Sequence, residues 1–250
     1  MRFLKRVVVA VLVAVAVPLS IAGAGKTPDP LPAPQLVQDA WMFMAAYKAD
    51  PVALEELLPG GLKPHPNGHV FINMYTVPEE TQTSGFGAYN LTYLAIEIDG
   101  HDSYVMDREN GYPGRYFVHY FNSSPKMRKF AESAGIPAEA GRTAAYVRGG
   151  KVKASLRIGG KRLIKAEAKL KSRRLKNPES GHLNYFGLKN GRVVKHPIPY
   201  LGSTRAISDP KIEITAPEGH PLHRLKPIAD PTWAVWMKGS FVYPQFEYVN

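Results

Sequence analysis

Three side chains stand where a carboxylate, an imidazole and an amine could act on a ligand: Glu97, His119 and Lys238. Each lies in a stretch with the two-residue period of a strand, so its face can be read from its neighbours. In YNLTYLAIEI (89–98) Glu97 shares a face with Leu91, Tyr93 and Ala95, about 20 Å along from Leu91. It is either an acid or base on that face or the point where the face reaches water. In RYFVHYF (115–121) His119 stands with Arg115, Phe117 and Phe121, as a proton shuttle or as a hydrogen-bonded core residue. Lys238 shares a face with Trp236 in WAVWMKGSFVY (233–243). It and Lys126 are the spare amines for nucleophilic catalysis, set against the ordinary role of a surface lysine whose stem covers apolar neighbours.

Other chemistries find little support. His220-Pro-Leu-His223 offers two imidazoles, but a proline lies between them and no carboxylate stands nearby in a helical frame, which suits a loop better than a metal site. The chain has no cysteine, hence no disulfide, thiolate nucleophile or zinc-thiolate site. It also lacks a phosphate-binding glycine loop, a nucleophile elbow and a metalloprotease helix.

The elements that must position these groups are mostly strands. HVFINMYTV (69–77), RTAAYVR (142–148), HLNYFGL (182–188), RVVKHPI (192–198) and AISDPKIEI (206–214) add to those above. Asn67-Gly68, Asp99-Gly100, Gly149-Gly150 and Asn190-Gly191 separate them. LVQDAWMFMAAY reads equally as strand or short helix. Asp50-Pro51 and Ser124-Pro125 start two short helices, the second ended by Gly135 and Pro137. In KVKASLRIGGKRLIKAEAKLK (151–171) a hairpin sets Val152, Ala154, Leu156, Ile164, Ala166 and Ala168 on one face and mostly Lys and Arg on the other. That basic face is the solvated side of a sheet or a docking surface for an anionic envelope. Its charges alternate with aliphatic rather than aromatic side chains, so no stacking platform for nucleic acid accompanies them. The expected fold class is mostly β (α+β): a large antiparallel sheet curled into a barrel or cone, with a few short helices.

MRFLKRVVVAVLVAVAVPLSIAGAG places three basic residues before an apolar run and small residues at Ala22 and Ala24, the pattern of a signal peptide over 1–24 and of a secreted or periplasmic protein. Beyond it, 29 Lys and Arg face 21 acids, so the remainder carries +8 and favours anionic company. Residues 25–35 are too rich in proline and glycine for a packed element and form a leader arm; 36–250 are expected to be one domain.

Residues 122–171 run Asn-Ser-Ser-Pro, a helix ending in GIPAEAG, the strand RTAAYVRGG, then KVKASLRI and KAEAKLK. Together with ALEELLPGGLKP, TSGFGAY (83–89) and LNYFGLKNGRVVKHPI, this order resembles the acetoacetate decarboxylase family over most of the chain. The resemblance implies a β-cone with a ligand cavity, no cofactor and assembly into homo-oligomers. It places Tyr89, Leu91, Tyr93, Ala138, Asn184 and Tyr185 as cavity candidates. It also marks departures. The family forms an imine through a lysine, where this sequence has Ala138 and Glu139; its glutamate falls at Leu91, and its arginine falls in QDAWM. The expectation is a protein that binds or transforms a small keto or carboxylate compound, or an apolar one, without imine-based decarboxylation. Its alternatives are a non-catalytic carrier with a basic outer face and a lyase or aldolase with a relocated lysine.

Overall fold

The period-two stretches become strands in the computed structural model, which describes residues 28–249. The strands are β1 (Gln35–Lys48), β2 (His69–Val77), β3 (Tyr89–Ile98), β4 (Tyr104–Val105), β5 (Gly114–Asn122), β6 (Ala138–Ala140) and β7 (Arg142–Arg148). They continue with β8 (Lys151–Ile158), β9 (Lys161–Leu170), β10 (Glu179–Lys189), β11 (Arg192–Ile214), β12 (Trp233–Tyr243) and β13 (Glu247–Tyr248). Helix α1 (Pro51–Leu57) starts where the Asp50 side chain accepts from Val52 N, and α2 (Pro125–Ser133) where Ser124 Oγ accepts from Met127 N. Both residues of the Gly149-Gly150, Gly159-Gly160 and Asn190-Gly191 turns have positive φ, the twist that a two-residue hairpin needs.

Seven strands close on themselves. The pairing order β10-β5-β3-β2-β1-β12-β11 returns to β10 through a β10–β11 ladder, which removes the edges of the ring. Most pairs are antiparallel; β5 runs parallel to both β10 and β6. Past the ring, β11 carries β9, β8 and β7 as an outer sheet that comes back over β2 and β3. This makes two cores. Inside the ring pack Met42, Phe71, Tyr75, Leu91, Tyr93, Phe117, Tyr120, Tyr185, Met237 and their neighbours. Between ring and outer sheet pack Phe43, Tyr47, Ile72, Met74, Leu94, Ile96, Phe121 and Trp236, against the apolar face of the basic hairpin. Each large side chain so buried contributes about 1.5–3 kcal/mol. The charged face of the hairpin points outward.

Several expectations need correction. The ambiguous LVQDAWMFMAAY lies entirely in β1, because its alternate residues serve the two cores. The described part of the leader arm is irregular yet packed, with Leu31 and Ala33 against the inner core. The separate strands expected at 192–198 and 206–214 are one 23-residue strand, β11, which pairs with β10 and β12 first and with β9 later. In β5 a bulge opposite Leu94/Ala95 breaks the alternation, so Arg115 and Phe117 face the ring interior with Tyr120, while Phe121 and His119 face outward. His119 therefore does not share a face with Arg115 and Phe117. The expected signal peptide lies outside the described residues.

Candidate functional site

The ring encloses a cavity of about 320 Å³ whose walls are largely apolar, with Met42, Met44, Phe117, Ile198, Met237 and Phe241 among them. Alternation along each strand dictates this: β1 sends in Met42 and Met44, β2 Asn73 and Tyr75, β3 Tyr93, β5 Arg115 and Phe117, β10 Leu183 and Tyr185, β12 Val235 and Met237. Exposed Arg108, Lys176, Asn177 and Trp233 stand at its rim.

One wall is polar and carries a buried cation. The Arg115 guanidinium lies 3.7 Å from the Phe71 ring centroid, its Nη1 donates to Tyr185 Oη at 3.3 Å, and its Nη2 stands 3.6 Å from Glu97 Oε1. Burial works against the charge, but Tyr185 and Glu97 outweigh it and hold Arg115 above its ordinary value. Glu97 is in turn held by Asn67 Nδ2 at 2.7 Å and by His69 Nδ1 at 3.3 Å. Tyr185 and Tyr93 share a 2.6 Å O–H···O bond, and Asn73 Nδ2 donates to Tyr93 Oη at 3.2 Å.

The hydrogen bonds on this wall leave donors over, and they leave Asn73 Oδ1 as a buried acceptor without a partner among the described residues. Arg115 and Asn73 both donate into the tyrosine pair, and the two hydroxyls hold two protons but make one bond to each other. One O–H is therefore left over whichever tyrosine donates. Turning the Asn73 amide only moves the surplus to its NH₂. Arg115 Nε also lacks a partner among the described residues. Burial raises Tyr93 well above the ordinary tyrosine value, so it stays a neutral hydroxyl.

A second cluster of hydroxyls adjoins this wall, with Tyr120 stacked on Tyr93 at 6.2 Å and with Tyr75 and Tyr243 reaching the cavity. Tyr75 Oη bonds Tyr89 at 3.0 Å and Tyr243 at 2.9 Å, and Tyr243 bonds Tyr120 at 3.1 Å. Burial raises all four hydroxyls above their ordinary value. At the rim, Glu179 accepts from Tyr200 at 2.7 Å and Tyr112 at 3.1 Å and pairs with Arg108 at 2.8 Å.

Of the cavity candidates, Tyr93 and Tyr185 line the space. Tyr89 lies behind Tyr75 and Tyr243, Leu91 is fully buried in the inner core, and Ala138 on β6 packs half-buried against that core. Asn184 faces away from Tyr185. Its Nδ2 donates to the carbonyls of Asp102 and His101, which ties the loop before β4 to β10. Glu97 is not where its face reaches water, since it is 5% exposed behind Arg115. His119 stacks on Phe121, and its Nε2 has no partner among the described residues. Lys238 pairs with Asp39 at 3.1 Å on the outer side of β12, and Lys126 is exposed at the start of α2. Sequence reading named Arg115 only as a neighbour of His119 and missed Asn73, Tyr75, Glu179 and Tyr200. The one available signal was an arginine inside the aromatic run RYFVHYF.

The sequence model of the family described as acetoacetate decarboxylase (ADC) matches residues 16–248. The chain belongs to the acetoacetate decarboxylase family. Among solved structures, an acetoacetate decarboxylase superposes with a TM-score of 0.70 at 14% identity, covering 92% of this chain and 95% of that one. The acetoacetate decarboxylase of Legionella pneumophila gives 0.66 at 15% identity, with 88% of each chain covered. The enduracididine biosynthesis enzyme MppR, complexed with pyruvate, gives 0.66 at 14% identity over 93% of this chain and 96% of that one. No curated protein matches in sequence. At these identities the likeness establishes the acetoacetate decarboxylase fold and leaves the chemistry to the residues in the cavity.

Proposed function

We propose that this member of the acetoacetate decarboxylase family binds a small carboxylate- or keto-bearing compound in the ring cavity and does so without forming an imine. Arg115 pairs with the carboxylate, and the spare hydroxyl of the Tyr93–Tyr185 pair donates to a second oxygen. The observation that carries this reading is the pair of donors left without an acceptor beside a buried arginine, the surplus tyrosine hydroxyl and Arg115 Nε, to which the oxygens of a carboxylate or keto group are complementary. The absence of imine chemistry is supported by the lining itself. Its one lysine among the described residues, Lys176, is exposed at the rim, whereas an imine-forming amine works desolvated or beside another cation. On the evidence of residues 1–24 alone, the site operates after export. Pyruvate, which MppR binds, and acetoacetate are the natural probes.

Calorimetric titration of the two probes tests the assignment. Wild type should bind, and an Arg115→Met/Glu97→Gln variant, which removes the cation without stranding its carboxylate, should lose at least about tenfold in affinity. Equal affinity in both proteins would remove Arg115 from the site.

A further inference from the structure

The outer sheet presents a second feature that is independent of whatever fills the cavity. Cross-strand register sorts its solvent face into rows. Arg142, Arg157 and Arg162 stand side by side across β7, β8 and β9, and Arg148, Lys151 and Lys169 form a second row. Between them lie a row of Tyr146, Lys153, Glu167 and Lys211 and a row of Ser155, Lys165 and Glu213, which extend onto β11. Like charges directly opposite one another destabilise a sheet, yet here they occupy two complete rows.

Neutralisation from within the protein is partial. Lys165 pairs with Glu167 at 3.4 Å, Lys169 with Asp209 at 3.0 Å, and Lys211 with Asp230. Arg142, Arg148, Lys151, Lys153, Arg157 and Arg162 pair with no carboxylate among the described residues. Tyr146, 46% exposed, stands among them opposite Lys153. The residues behind are buried in the outer core, so the charges ride on a fixed plane rather than on a mobile tail.

We propose that this face docks on an anionic phospholipid surface. A plane of four strands, each about 4.8 Å from the next and about 25 Å long, meets a bilayer over its whole area, whereas a single nucleic-acid strand would cross only part of it. One exposed tyrosine amid cations fits the headgroup region, where tyrosine is enriched, and supplies no series of stacking rings for bases. Among the described residues no helix is long and apolar enough to cross a membrane, so the contact made by this face is peripheral.

Flotation of the full-length chain with vesicles provides the test. Equal parts phosphatidylglycerol and phosphatidylcholine are compared with phosphatidylcholine alone, which measures what residues 1–24 contribute. Partition onto the anionic vesicles should exceed that onto neutral ones by at least about tenfold at low salt and fall away by about 0.5 M. An Arg142→Glu/Lys151→Glu/Arg157→Glu variant should lose that excess. Lys63→Glu/Lys126→Glu/Arg173→Glu, which changes net charge equally at exposed positions elsewhere, should retain most of it. Circular dichroism establishes that both are folded, and neutral Gln replacements at the same three face positions should give an intermediate loss. Equal loss in the two charge-reversed variants would overturn the proposal. So would binding to heparin or DNA without binding to vesicles.

Discussion

At the scale of single residues, the proposed binding rests on Arg115 and the groups that tolerate it inside the ring. A buried cation is costly unless paired, and this one has a carboxylate, an aromatic face and a phenol as company. Removing one partner alone strands the other. Arg115→Met should therefore cost about 3–5 kcal/mol in urea-induced unfolding, and adding Glu97→Gln should recover most of it. If the double variant is no more stable than the single one, the two groups are not coupled as the 3.6 Å separation implies. This part of the site was barely legible in the sequence. Glu97 could be placed on the face of Tyr93, which is where it is found, but nothing local announced that Arg115 and His69 from two other strands would enclose it.

At the scale of elements, the clean alternations were readable because their two faces meet different surroundings: 142–148, 151–158 and 233–243 form strands with those bounds. The bulge in β5 was not readable, since RYFVHYF is apolar on both faces and a shift by one residue leaves no mark in the pattern. Nor was the continuity of β11: Pro197 and Pro210 lie inside the two stretches read as strands, but residues 199–205 between them, opening on Pro199, read as a break and fall within the strand. The three residues of β6 exist through parallel pairing with β5 and carry no signal of their own. The bulge has a consequence for stability. It turns His119 outward into a dry layer where burial, aided by His220, lowers it to about 4, and burial on β11 lowers His196 likewise. Both must be neutral in the folded state, whereas the unfolded chain takes up protons near 6.5. The stability they protect is therefore complete above that pH and lost as pH falls toward 4, by up to about 3 kcal/mol each. Denaturant midpoints measured from pH 7 to pH 4 should fall steeply in wild type and less so in His119→Gln. Identical slopes would contradict the assignment.

At the scale of the whole molecule, a closed ring and an outer sheet divide the work. The ring shapes a cavity, and the outer sheet both seals the back of the ring wall and exposes a basic plane. Closure through the β10–β11 ladder depends on long-range pairing: the alternating stretches predict a sheet curled to remove its edges, and the family resemblance narrows that to a cone. The family's fold is retained around a cavity with one inner wall carrying Arg115, Asn73, Tyr93 and Tyr185. The central claim is that recognition proceeds by ion pairing rather than through a covalent imine. Borohydride reduction at saturating acetoacetate, followed by intact-mass measurement, tests it most directly: the protein should emerge at its unmodified mass, and a mass increase mapping to a reduced adduct on any lysine would contradict the account.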